Sequence, residues 1–154
     1  MRRRRSPRIL LVAAALIIVL GLFLFLRLIF YSPSQEVTRA VDRFYQYEQA
    51  GDFAKSWELF HPVMKMKFSK GVYIQDRAHV FMNHFGVETF QYTFAKPEKI
   101  KGWKMSKDSE TFKLVYKVPV VQEFRGKYGH FDIHQDVFVV EGKDGWMVLW
   151  DYNQ

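Results

Sequence analysis

Apolar and polar positions divide the chain into three stretches with different periods. Ile9 to Phe30 is apolar except at Gly21 and Arg27. At about 1.5 Å per helical residue such a run spans roughly 33 Å, enough for a bilayer core of about 30 Å. From Ser32 to Gly86 apolar residues recur at helical spacing. Val37, Ala40, Val41 and Phe44 form the first buried face, and Gly51 ends that helix. Ser32, Pro33 and Gln35 stand where a cap, a first-turn proline and a capping-box partner belong. Asp52 caps a second helix carrying Phe53, Trp57 and Phe60, which Pro62 is expected to close, with His61 against its last carbonyls. A third begins after Ser69, with Tyr73, Val80, Phe81 and His84 as its stripe, and stops at Gly86.

The period then changes to two, predicting five strands. Phe90, Tyr92 and Phe94 share one face of the first, and Trp103 and Met105 one face of the second. KDSE turns the chain into a long third strand with Phe112, Leu114, Tyr116, Val118 and Val120 on one face. Pro119 cannot donate to a ladder, so a bulge or an edge is expected there. RGKYG leads into a fourth strand, HFDIHQDVFVV, and KDG into the last, WMVLWDY. Helices followed by an antiparallel sheet define an α+β class: an N-terminal transmembrane helix, then three helices packed on a curved sheet. The expected divisions are a basic tip at 1–8, a membrane helix at 9–31 and an α+β domain at 32–154.

Charge changes this picture mainly at the N-terminus. The chain carries 23 Lys and Arg against 16 Asp and Glu, a formal net charge of +7. Six of the positive residues are Arg2, Arg3, Arg4, Arg5, Arg8 and Arg27, and every acidic residue follows Tyr31. The domain is thus close to neutral and lacks the basic stripe of a nucleic-acid binder. Arg2, Arg3, Arg4 and Arg5 set topology instead. Positive flanks stay cytoplasmic, which puts the domain on the outer face of the plasma membrane in a single-pass arrangement. Arg27 is placed to snorkel, and Phe30 and Tyr31 suit the interface. Cleavage after Ser34 is the alternative to a retained anchor. The apolar run is longer than the roughly 7–15 residues of a signal peptide, and no polar spacer precedes Ser32. With no cysteine, disulfides, thiolate metal sites and lipidated cysteine are excluded.

AVDRFYQYEQAGDFAKSWELFHPVMK, with its first helix ending in Gly-Asp and its second near a proline, resembles the opening of nuclear-transport-factor-2-like domains. GWMVLW resembles their closing strand, so the likeness covers roughly Val37 to Tyr152. It implies a cystatin-like cone with a pocket between helices and sheet. Anchored extracytoplasmic bacterial members include domains of penicillin-binding transpeptidases and of conjugation-channel subunits; catalytic members include ketosteroid isomerases and dehydratases. Fold alone does not choose among these.

The densest chemistry is in GHFDIHQD. On a strand His130, Asp132, His134 and Asp136 point the same way, roughly 7 Å apart in sequence-alternate steps. They form either a solvent-facing binding surface or, for His130, Asp132 and His134, a metal-ligand set. His79 and His84, with Asp76 three residues ahead of His79, are the acid–base candidates on the third helix. No GxSxG, HExxH or phosphate-loop motif is present. Trp57, Phe60, Trp103, Phe112, Trp146 and Trp150 are expected to fill the core. No cofactor is expected. The function expected is a non-catalytic binding or scaffolding domain that meets a protein partner in an envelope assembly. The alternative is a small-ligand binder or isomerase-like enzyme using the cone pocket.

Overall fold

A computed structural model describes residues 7–30, 32–143 and 145–153, with the side chains of 7–10, 27–30 and Met82 left out. Arg2, Arg3, Arg4, Arg5, Tyr31 and the Asp144 of the KDG turn therefore lie outside the described residues, as do the side chains of Arg27 and Phe30. The chain divides into two compact units, 1–33 and 34–154.

The first unit is one helix, α1 (Pro7–Phe30). Among the described residues no helix is long and apolar enough to cross a membrane. The described side chains of α1 cover 11–26, shorter than the roughly 20 residues a crossing takes, although the helical backbone runs 24 residues. From Leu11 to Leu26 its large apolar side chains are 42–70% exposed.

The second unit is an α+β domain with helices packed on an antiparallel sheet. Its helices are α2 (Pro33–Gln49), α3 (Phe53–Glu58), α4 (Pro62–Lys67) and α5 (Lys70–Ala78), continued by a π-helical turn, His79–His84. The strands are β1 (Phe90–Phe94), β2 (Glu98–Lys104), β3 (Thr111–Gly126), β4 (Gly129–Gly142) and β5 (Gly145–Trp150). β3 is the spine. β4 flanks it on one side, with β5 beyond. On the other side β1 and β2 pair end to end with its two halves.

That arrangement explains Pro119. β1 pairs as far as Val120 and β2 from Lys117, so Pro119 faces the gap between them, where its carbonyl accepts from Ala95 N at 2.9 Å. The missing N–H falls where no partner strand needs it. The free side of β5 is partly closed by a parallel bridge from Phe60 to Val148, with His61 N donating to Val148 O at 3.0 Å and Val148 N to Leu59 O at 2.9 Å.

The core lies between the helices and one sheet face. Val37, Val41, Phe44 and Tyr45 of α2 meet Val118, Val120, Phe124, Val137, Val139 and Val148 of the sheet, with Phe60 and Trp150 among them. Phe60 sits 5.2 Å from the Phe44 ring and 4.9 Å from Trp150, and Phe124 stacks between Phe81 and Phe131 at 5.1 and 5.2 Å. Phe60, Trp103 and Phe112 are buried as expected, while Trp57, Trp146 and Trp150 are partly buried and packed against the core. The opposite sheet face has a smaller cover, where Trp103 stacks on Phe138 at 4.2 Å near buried Leu149.

Three sequence expectations are corrected. Pro62 opens a helix rather than closing one. His61 is its N-cap, its Nδ1 accepting from Val63 N at 3.3 Å, and Pro62 takes the first-turn position where a missing N–H costs nothing. The helical region therefore has four α-helices and a π-turn, not three helices. Val80 and His84 are exposed while Phe81 is buried, because the wider π-turn shifts the inward face onto Phe81 and Phe85. Leu114 is exposed and its neighbour Val115 buried, a break in the alternation where β2 pairs with β3.

Candidate functional site

Three clusters bear chemistry, all in the second unit. The first is the outer face of β4. His130, Asp132, His134 and Asp136 are all exposed, on the strand side opposite Val137 and Val139. Register places Arg125 across from His130, Glu123 from Asp132, Val121 from His134 and Pro119 from Asp136. Lys117 Nζ bonds Asp136 Oδ2 at 3.2 Å. Glu123 and Arg125 also line a groove of about 630 Å³ with Gly86, Glu88, Thr89, Phe90 and Gln91. Strand face and groove thus adjoin through Glu123 and Arg125. Their carboxylates, Glu88, Glu123, Asp132 and Asp136, outnumber their cations, Lys117 and Arg125. Among the described residues no group of three or more His, Cys, Asp or Glu is arranged to hold a metal. All four side chains belong to the exposed surface of the strand.

The second cluster was not foreseen. Glu48, at the end of α2, is 2% exposed inside the core. Ser56 of α3 donates its hydroxyl to Oε1, and Tyr73 of α5 donates to the same oxygen at 2.7 Å. Arg77, one turn beyond Tyr73, donates Nε to Oε2 at 2.6 Å and adds Nη2. Three helices are thus tied to one carboxylate. Burial pushes the Tyr73 phenol well above its ordinary range, with the Glu48 charge adding to the rise. Burial does the same to Tyr45, which donates to Gln135 Oε1 at 3.1 Å. A cavity of about 230 Å³ borders the pair, walled by Phe53, Phe81, Val87 and Phe90. The sequence did carry a signal for Glu48: positions 37, 41, 44 and 48 continue one helical stripe, and only the last is charged.

The third cluster is on the π-turn. His79 and His84, five residues apart, meet with Nε2 atoms 2.9 Å apart and ring centres 4.5 Å apart. Asn83 Nδ2 lies 3.2 Å from His79 Nδ1. Asp76 is exposed and bonds neither histidine among the described residues, so the expected His–carboxylate couple is replaced by a His–His couple. Both imidazoles are exposed and face away from the core.

Elsewhere, His61 is half-buried with its ring edge-on to Phe112 at 5.2 Å. Burial lowers its pKa from the ordinary 6.5, opposed by the charge of Glu110. The chain matches no protein-family model, and a search of curated proteins found none significantly similar to it.

Proposed function

We propose that the chain is a single-pass membrane protein whose second unit is a non-catalytic binding module of the nuclear-transport-factor-2-like type, working on the outer face of the plasma membrane. One observation carries the module reading. Most of the space between helices and sheet is filled by Phe44, Tyr45, Phe60, Phe81, Phe124 and Trp150, leaving about 230 Å³ beside Arg77, and the buried Glu48 carboxylate has its acceptor capacity taken up by Ser56, Tyr73 and Arg77. Catalysis needs a group free to meet a substrate. The larger open surface is outward: the His130–Asp136 strand face and its adjoining groove, with an excess of carboxylates that suits a basic protein surface.

Anchoring is supported by α1. Its described side chains are apolar and exposed, and the sequence continues that run to Ile9 and Phe30, the length of a crossing. Arg2–Arg5 then hold the tip in the cytoplasm. The test is fractionation followed by protease. Full-length chain should stay in membranes through alkaline carbonate, and protease added to intact spheroplasts should digest the second unit. Release as a product starting at Gln35, or protection until lysis, overturns the anchoring or its orientation.

A second reading is favoured by the 230 Å³ cavity beside Arg77. A small carboxylate entering there would compete with Glu48 for the guanidinium, making the module a ligand binder.

A further inference from the structure

An α-helix does not bring residues five apart together, because five steps of about 100° leave them some 140° apart around the axis. The π-turn does, and it spends that geometry on two imidazoles. His79 Nε2 and His84 Nε2 stand 2.9 Å apart on the solvent side. At metal–nitrogen bonds of about 2.05 Å, that separation subtends about 90° at a shared ion. A tetrahedral site would want roughly 3.3 Å between the nitrogens, whereas about 90° is the angle between neighbouring ligands in a square-planar or tetragonal site.

The turn is also held in place. Phe85 N bonds Val80 O at 3.1 Å and Val87 N bonds Phe81 O at 2.9 Å across it, while Lys127 N bonds Phe85 O at 3.0 Å from the β3–β4 hairpin. Phe81 and Phe85 anchor its inner side on Phe124 and Phe131, at 5.1 and 5.0 Å. Asn83 supplies the outer partner. As placed, its Nδ2 lies 3.2 Å from His79 Nδ1 and donates to it; turned over, the amide would offer Oδ1 to an Nδ1–H, the outer partner that metal-binding histidines use.

We propose that His79 and His84 form a two-imidazole chelate for a first-row divalent ion, copper(II) ahead of nickel(II), with the remaining positions open to water or to a partner's side chain. On binding, the proton between the two Nε2 atoms passes by way of solvent to Nδ1 of the ring that carried it, so both rings stay neutral imidazoles and each Nε2 gives its lone pair to the ion. The angle suits copper(II) and nickel(II) alike, and the general affinity series puts copper first.

The test uses the full-length, untagged chain in detergent, titrated with copper(II) alone and followed by calorimetry and electron paramagnetic resonance. One ion per chain should bind, with nitrogen hyperfine structure from two imidazoles. H79Q and H84Q should each weaken binding by at least the roughly 10–100-fold that loss of even an outer partner costs. H130N/H134N should leave it unchanged, with far-UV circular dichroism showing all variants folded. Unchanged affinity in H79Q or H84Q overturns the proposal, as does loss of binding in the strand variant or the absence of any one-to-one site.

Discussion

Arg77→Met removes the cation from beside a carboxylate that cannot reach water. Wild-type Glu48 has no exposed side-chain surface, and Arg77 is only 20% exposed. The variant keeps the Ser56 and Tyr73 donors on Oε1 but strips Oε2 of both guanidinium bonds. Breaking a buried pair by deleting one partner costs about 3–5 kcal/mol. Since Arg77 touches solvent, water reaches part of the gap, and we expect the lower end, about 3 kcal/mol. Glu48→Met with Arg77→Met leaves no stranded charge, and apolar replacement of a whole pair is often near neutral. The double variant should therefore be more stable than Arg77→Met alone, with a coupling of about 1–3 kcal/mol in the double-mutant cycle. Urea unfolding of residues 34–154, followed by tryptophan fluorescence, measures all four corners. A cost below about 1 kcal/mol for Arg77→Met, or strictly additive effects, would mean that the ion pair does not hold the three helices together.

Other outcomes follow from single residues. His61 caps α4 through its neutral Nδ1, and burial lowers its pKa. Its contribution is present above the unfolded value of about 6.5 and is lost as pH falls through the lower folded value. Melting temperature should therefore drop on acidification, and less steeply in His61→Asn, which keeps a capping oxygen; parallel profiles would remove His61 from the explanation. Gly126→Ala should cost about 1–3 kcal/mol, because a Cβ there would lie 2.4 Å from Phe85 O, and urea midpoints measure it. Trp57→Ala should cost about 2 kcal/mol, below the 3–5 of a fully buried aromatic, since Trp57 is half-buried and loses one bond from Nε1 to Phe68 O at 2.8 Å. A loss above about 4 kcal/mol would place that ring in the core instead.

The sheet was legible because its strands alternate over most of their length, Leu114–Val115 apart, and are bounded by turn residues. Phe90 through Phe94, Tyr116 through Val120 and the outward set His130, Asp132, His134 and Asp136 all follow from parity alone. Helices were less legible where the signal is shared. A proline after an apolar run reads equally as a stop or as the first turn of a new helix, and the tertiary bond from His61 N to Val148 O favours the second at Pro62. The π-turn has no sequence signature at this length, so the stripe ran on to Val80 and His84 when the chain had already shifted phase. Glu48 was missed for a different reason. Charged residues on an inner stripe are rare, and the donors that make this one tolerable come from Ser56, Tyr73 and Arg77 on other helices.

Photo-crosslinking from position 132 in native cells measures directly whether the strand face binds a protein while the chain is anchored. A light-activated residue there sits mid-strand on the exposed face, across from Glu123 and beside the groove. The binding-module reading predicts a discrete protein adduct, found in the membrane fraction and absent when the probe is placed at exposed Gln75 on α5. A chain that fractionates as soluble, or one that is membrane-bound and forms its adducts from 75 but none from 132, would contradict it.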